Sequence, residues 1–252
     1  MTRRRLDVEL VSRGLAESRT HAQSLIDDGR VLVAGAPTDR AARLVAAGEP
    51  IRVIGPPPRF VGRGGEKLAA AFDHWDDLHH LTVDAKAVDC GASTGGFTDC
   101  LLQHGAAHVT AVDVGHGQLH ERIRADPRVT VVERTDIRNL EVVESGGPFD
   151  VLVADLSFIS LRTVAPALVS LCKPLAPMVL LVKPQFEVGR AIASRTRGVI
   201  TDDVVRAQAL DEVIEAFLSL GCTSDGVHEC PIHGADGNRE YLVRLRSPEV
   251  AA

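Results

Sequence analysis

At 252 residues the chain is long enough for one large domain, or for a small domain joined to a medium one; 45% hydrophobic and 25% charged residues exclude the disordered and fibrous classes. Five cysteines (Cys90, Cys100, Cys172, Cys222, Cys230) are odd in number and form no C-x-x-C pair, which argues against a disulfide framework and a zinc site and fits a reducing cytoplasm. The net charge of −6 is uneven, because residues 1–67 carry twelve Lys and Arg against eight Asp and Glu while the remainder carries sixteen against twenty-six, so a basic face for nucleic acid is compatible with an acidic whole.

The basic start, Met1 to Arg5, is followed by no apolar h-region, and the most apolar later stretch, Thr163 to Val182, holds Lys173 and three prolines. A soluble protein without a membrane span is expected. Leu6, Leu10 and Val11 predict a short helix that stops at Gly14. A second helix is expected from a Ser18 cap, with Ala22, Leu25 and Ile26 on one face and a stop at Gly29. Val31 to Val33, a turn at Gly35 and a strand at Ile51 to Ile54 complete a small α+β region. The run Ser12-Arg13-Gly14-Leu15-Ala16-Glu17-Ser18-Arg19, followed by Ala22, Leu25-Ile26, Gly29-Arg30-Val31 and Ile51-Arg52-Val53, resembles an S4 RNA-binding domain. That resemblance implies a basic surface laid against folded RNA, with Arg3, Arg4, Arg5, Arg13, Arg19 and Arg30 as candidate phosphate contacts. Ala34 stands where the hairpin usually has Asn.

Gly55 to Pro58 reads as a stiff connector, so the domain boundaries are drawn as 1–58, a linker at 59–64, and 65–252. Arg59 and Arg63 extend the basic set into a Gly-rich entry to a helix through Leu68, Ala69 and Phe72. Lys67 is expected in the first turn of that helix, where the helix dipole disfavours a cation.

From Ala87 onward, strand-like and helix-like runs alternate. Strands are expected at 87–89, 108–112, 129–133, 151–154, 178–182, 223–229 and 240–245, and helices near 97–104, 119–125, 164–171 and 202–220. This predicts a mostly parallel seven-stranded sheet with helices on both faces and an antiparallel hairpin, formed by the last two strands, at one edge. In such sheets ligands lie beyond the carboxyl ends of the strands. The ends read Gly91 to Gly96, Asp113, Asp136, Asp155 and Lys183, every one polar or Gly.

The first of these ends, Asp89-Cys90-Gly91-Ala92-Ser93-Thr94-Gly95-Gly96-Phe97-Thr98, sits at a strand-to-helix turn, where glycines let the backbone approach a ligand. Asp113 follows about 20 residues on, the spacing at which a carboxylate accepts hydrogen bonds from a ribose. There is no G-K-[ST], and the glycine spacing is not G-x-G-x-x-G, so P-loop and nicotinamide enzymes drop out. Asp-x-Gly-x-x-x-Gly-Gly with an acidic second strand end resembles the Rossmann-like S-adenosylmethionine-dependent methyltransferases. The resemblance implies that the loop at residues 89–97 backs the methionine end, that Asp113 binds the ribose hydroxyls, that Asp136 and Ile137 flank the adenine, and that Val114 and Asp155 are further cofactor-binding residues.

Asp155-Leu156-Ser157-Phe158 lacks the prolines of enzymes that methylate exocyclic base nitrogens, and Cys90 and Cys172 read as interior to their elements rather than as loop nucleophiles. Lys67, Asp155, Lys183 and Glu240 instead resemble the Lys-Asp-Lys-Glu tetrad of FtsJ-like ribose 2′-O-methyltransferases. A ribose hydroxyl needs a base or a positive field to react near neutral pH. The resemblance gives Lys183 that role, Lys67 the second positive charge, and Asp155 and Glu240 the task of orienting the two ammonium groups.

Taken whole, the chain is similar to the TlyA-type proteins, an S4 domain fused to an FtsJ-like methyltransferase. The runs at 63–68, 89–99, 112–119, 155–161 and 182–187 carry the likeness. It implies 2′-O-methylation of cytidine in 16S and 23S ribosomal RNA, S-adenosylmethionine as cofactor, no metal, and a cytoplasmic location. The connector reads Arg59-Phe60-Val61 where mycobacterial members have a Trp-containing tetrapeptide. Two other classes compete: a membrane-active haemolysin, after a name attached to the family, and an RNA-binding protein without catalysis. No strongly amphipathic basic helix supports the first, and the intact tetrad counts against the second. Arg5-Leu6-Asp7 echoes pseudouridine synthases, but no synthase domain follows.

Overall fold

Apolar residues spaced for helices and then for strands close over a small core in the first part of the chain, where Leu6, Leu10, Ala22, Leu25, Ile26, Val31, Val33 and Val45 are buried together. The computed structural model describes residues 3–16, 19–55, 58–196, 198–234 and 237–250. Chain contacts divide it into two units, Met1–Arg63 and Gly64–Ala252. The Ser18 cap, and Pro56 and Pro57 of the connector, lie outside the described residues.

In the first unit, β1 (Arg3–Arg5) runs directly into α1 (Leu6–Ser12), and α2 (Arg19–Asp27) follows. Gly14 and Gly29, with φ of 68° and 67°, turn the chain after each helix. The strands β2 (Val31–Val33), β3 (Ala36–Pro37) and β5 (Ile51–Val53) form an antiparallel sheet in the order β3-β2-β5, while β4 (Leu44–Ala46) pairs with β1. Ala34 and Gly35 both take positive φ, 52° and 84°, as the two-residue hairpin between β2 and β3 requires, so Ala34 bears a strain that Asn would lessen.

The second unit contains α3 (Arg63–His74, its first residue in the preceding unit), α4 (Asp76–Thr82), β6 (Lys86–Cys90), α5 (Gly96–Gln103), β7 (His108–Val112), α6 (Glu121–Arg124) and β8 (Val129–Val132). It continues through β9 (Val151–Ala154), α7 (Leu161–Ser170), β10 (Pro177–Val182), α8 (Pro184–Glu187), α9 (Arg190–Arg195), α10 (Asp203–Leu218), β11 (Thr223–Glu229) and β12 (Tyr241–Arg246). Seven strands form one sheet in the order β11-β12-β10-β9-β6-β7-β8. The five from β10 to β8 are parallel, and β12 runs antiparallel to both β10 and β11. Val88, Cys90, Leu152 and Leu180 point to one face and pack with Leu161, Leu168, Val213 and Phe217 of α7 and α10. Asp89 points to the opposite face, where Thr98 of α5 meets it. The expected seven strands and edge hairpin are present.

Three local readings change. Lys67 is the fifth residue of α3, not a first-turn residue, because the helix takes in Arg63, Gly64 and Gly65. The expected helix at 119–125 shrinks to Glu121–Arg124, because the His120 ring caps it by accepting the Arg122 amide. Cys90 ends β6, and Cys172 bridges to Phe149 beyond α7, so neither is interior to its element, although both are buried.

Candidate active site

The parallel strands end together, and their ends build the first half of the site. After β6 the chain turns at Gly91 (φ 88°), and the amides of Gly91 and Ala92 donate to the Val112 carbonyl at 2.8 and 3.0 Å. A Cβ on Gly91 would lie 2.6 Å from the Asp155 carbonyl oxygen, so only glycine allows the ends of β6 and β9 to approach this closely. Gly95, with φ of 93°, starts α5, and a Cβ there would meet Leu119 at 2.8 Å. Thr94 and Phe97 flank it within the same turn, and Phe97 is buried.

The carboxylates at these ends differ in environment. Asp89 is 0% exposed and accepts from Thr98 Oγ1 at 2.6 Å through Oδ2, while its Oδ1 has no partner. Burial, more than the nearby Asp155 and Asp113 charges, pushes its carboxyl up to about 7. Asp113 accepts from the Ser93 amide at 2.8 Å and the Gly115 amide at 2.6 Å, which ties the loop after β7 to the loop after β6. Val114 beside it is exposed. Asp136 caps the short turn Ile137–Asn139, and the Arg138 guanidinium and amide hold its carboxyl down at about 2; Ile137 is buried. A crevice lies between Ala92, Ser93, Asp113, Gly115, Gln118 and Glu133. Gln118 and Glu133 did not stand out in the sequence, although each lies within or beside a recognised run. Gln118 accepts from Ser93 Oγ at 3.3 Å, and Glu133 gathers His116 Nδ1 and the Gly117 amide, both at 2.9 Å, together with Arg124.

The other half of the site lies at the end of β10. Val182 pairs with Tyr241, so the next residue outward on β10 is Lys183 and the preceding residue on the antiparallel β12 is Glu240. Strand register thus brings together two charges 57 positions apart. Glu240, 2% exposed, accepts from Lys67 Nζ at 2.5 Å, and Lys183, 8% exposed, is paired with Asp155. Lys183 Nζ also donates to Ser157 Oγ at 2.9 Å. The two ion pairs share one neighbourhood. A Cβ on Gly64, in the first turn of α3, would lie 3.9 Å from Asp155 Oδ2. The buried Cys230 thiol feels Lys67, Glu240 and Asp155 together. Gly234 wraps the carboxylate so closely that a Cβ there would fall 2.0 Å from Glu240 Oε1.

Phe158 is a feature that sequence reasoning passed over. It follows Ser157, holds φ at 66°, and is 91% exposed, with its ring 5.2 Å from that of Phe186. Lys183 Nζ lies 5.8 Å from the Phe186 ring centre. A strained backbone that holds an aromatic ring out in water beside a lysine favours a ligand with a flat face.

The arginines of the first unit divide by what they touch. Arg13 donates to the carbonyls of Glu49, Ala46 and Ala47 and pairs with Glu9, so its guanidinium is spent on the fold. Arg5 and Arg19 both reach the buried Asp7, whose carboxyl they hold at about 2. Arg30 donates to the Ile54 carbonyl, Arg63 faces Asp28 at 3.9 Å, and Arg59 lies 4.7 Å over Phe60. Arg3 and Arg4 are exposed, with Arg4 at 4.0 Å from Glu9.

Comparison with known proteins identifies the families that the two parts of the chain match. Residues 60–247 match the family described as FtsJ-like methyltransferase, and residues 4–51 match the S4 domain. The chain is 45% identical to the 16S/23S rRNA (cytidine-2′-O)-methyltransferase TlyA of Mycobacterium tuberculosis, over 97% of this chain and 90% of that protein. It is 40% identical to Hemolysin A of Brachyspira hyodysenteriae, over 96% of this chain and 99% of the relative. A solved structure described as a putative hemolysin from Streptococcus thermophilus superposes with a TM-score of 0.75 at 34% identity, covering 99% of this chain and 90% of that one. No helix among the described residues is long and apolar enough to cross a membrane, and no group of three or more metal-ligating side chains occurs among them.

Proposed function

The chain belongs to the FtsJ-like methyltransferase family, and from that premise we propose that it methylates the 2′ hydroxyl of cytidine in 16S and 23S ribosomal RNA, using S-adenosylmethionine. The carrying observation is two neighbouring ion pairs, buried Lys67 of α3 with buried Glu240, and buried Lys183 with the half-buried Asp155, the last three residues lying at adjoining strand ends. Residues 1–58 serve as the RNA-binding module, residues 59–64 as the linker and residues 65–252 as the catalytic domain, working in the cytoplasm on ribosomal subunits.

The residues present fit the cofactor. The Gly-lined turn 91–96 offers close backbone approach for the methionine end, Asp113 offers carboxylate oxygens to ribose hydroxyls with the exposed Val114 beside it, and Asp136, anchored by the buried Ile137, borders the place of the adenine. When bound, S-adenosylmethionine supplies a methyl group already activated by its sulfonium, so the protein has only to bind, aim and provide a nucleophile.

The remaining steps belong to this chain. Phe158 stacks on a base of the RNA and sets the position of its ribose. The 2′ hydroxyl is held at Lys183 Nζ, whose ammonium first releases a proton to solvent beside the second positive charge of Lys67. The neutral amine then takes the hydroxyl proton as the oxygen gains the methyl group, which would leave the cofactor's sulfur as a neutral thioether. Asp155 and Ser157 stabilise the ammonium that results. Lys67, held in place by Glu240, sets a second positive charge where negative charge develops on oxygen.

Lys183→Ala is expected to abolish methyl transfer to ribosomal subunits from an unmodified strain, while the cofactor dissociation constant measured by calorimetry stays within about threefold, since Lys183 acts on the acceptor side. Wild-type turnover in that variant would overturn the assignment.

A further inference from the structure

Lys183 and Phe186 sit on one chain segment and Asp155, Ser157 and Phe158 on another, and behind the contacts these side chains make with each other a buried carboxylate also ties the two together. Glu187, the last residue of α8, is 3% exposed. Its Oε2 accepts from Ser160 Oγ at 2.5 Å and its Oε1 from the Leu161 amide at 2.8 Å. Ser160 is the N-cap of α7, which begins directly after the Asp155–Phe158 segment. Arg162 closes the link from the other side, donating to the Glu187 carbonyl at 2.6 Å and reaching Glu212 of α10 at 2.5 Å. Burial raises the Glu187 carboxyl, and the hydrogen bonds from Ser160 and Leu161 oppose that rise.

We propose that Glu187 is a positioning residue for methyl transfer, clamping the segment that bears Lys183 to the segment that bears Asp155, Ser157 and Phe158. The spacing leaves little slack. Lys183 is the N-cap of α8, so three residues separate it from the clamp, and one residue, Ile159, separates Phe158 from the α7 N-cap Ser160. The Lys183–Asp155 pair, the bond from Lys183 to Ser157, and the Phe158–Phe186 ring contact all span the two segments. A loosened clamp therefore misplaces base and stacking ring together, and misplacement near 1 Å can cost about 100-fold in rate.

The inference rests on the reading of Lys183 as proton acceptor. Its test compares Glu187→Ala, Glu187→Gln, Ser160→Ala and Lys183→Ala in the full chain, at a temperature below every unfolding midpoint. Single-turnover transfer is measured at saturating cofactor and RNA, with cofactor affinity measured in parallel. Glu187→Ala is expected to lower the saturated rate roughly 10- to 100-fold with cofactor affinity within about threefold. Glu187→Gln, which keeps the shape and can hydrogen-bond to both partners, is expected to recover to within roughly threefold of wild type. A folded Glu187→Ala at the wild-type rate overturns the proposal, as does a Gln variant as slow as Ala, which would make charge and not clamping the point. Should Glu187→Ala fail to fold, Ser160→Ala decides: a several-fold slower saturated rate supports the clamp, and an unchanged rate overturns it. If Lys183→Ala itself turns over normally, the reading of Lys183 falls first; if it is dead while Glu187→Ala is normal, only the clamp falls.

Discussion

Asp89 carries a conflict that a surface carboxylate never meets. It lies wholly out of solvent at the end of a central strand, with Thr98 as its hydrogen-bond donor and with one oxygen unpartnered. Its carboxyl is pushed up to about 7 by burial, with Asp155 and Asp113 adding repulsion. An acid whose folded pKa lies above its unfolded value of 3.8 binds its proton more tightly when folded, so its contribution favours folding at low pH. That contribution is lost as pH rises between about 4 and 7. Asp89→Asn removes the titration and keeps an oxygen for Thr98. In urea unfolding at pH 5 and pH 7.5, the variant is expected to gain stability relative to wild type as pH rises; a difference independent of pH would show that Asp89 is already ionised at pH 5 in the folded chain, its carboxyl not raised by burial.

At the scale of elements, the site depends on how closely strand ends can approach. Gly91 combines a left-handed φ of 88° with a neighbour that cannot yield, the Asp155 carbonyl at 2.6 Å from a would-be Cβ. Gly91→Ala is therefore expected to cost about 2–4 kcal/mol in urea unfolding, from backbone strain and forced displacement of β9. Transfer activity should fall with it, because Asp155 rides on that displaced end. A cost under about 0.5 kcal/mol would mean that the two ends are free to separate. These strand ends were legible in the sequence, since apolar runs that stop at Asp113, Asp155 and Lys183 mark both the period and the polar edge. The supports between them were not. α8 is four residues long, too short to show a period, and the partners of Glu187 lie 26 and 27 positions away. Glu240 was found through resemblance, while the register that brings it beside Lys183 exists only once β12 turns antiparallel on β10. β1 is three arginines, which no strand pattern distinguishes from a basic tail.

Across the whole molecule, charge and fold share the same residue type, and the two uses separate by experiment. A clustered set of arginines in residues 3–63 reads alike in the sequence, yet Arg13 is consumed by three carbonyls and Glu9, whereas Arg3 and Arg4 stand exposed on β1. Arg13→Ala leaves those carbonyls without their donor, so it should lower the stability of the first unit by about 1–3 kcal/mol. It should leave the salt dependence of RNA binding by folded protein unchanged, because a guanidinium already committed to the chain releases no counterions from RNA. The double substitution Arg3→Ala with Arg4→Ala should do the reverse. Each phosphate contact contributes roughly 0.7–0.9 to the slope of log K against log salt, so losing two lowers that slope by about 1.5 while unfolding is little altered. Titrating ribosomal RNA at several salt concentrations with both variants distinguishes the roles. An unchanged slope for the β1 pair would remove that strand from the RNA-binding face, and a reduced slope for Arg13→Ala would return Arg13 to it.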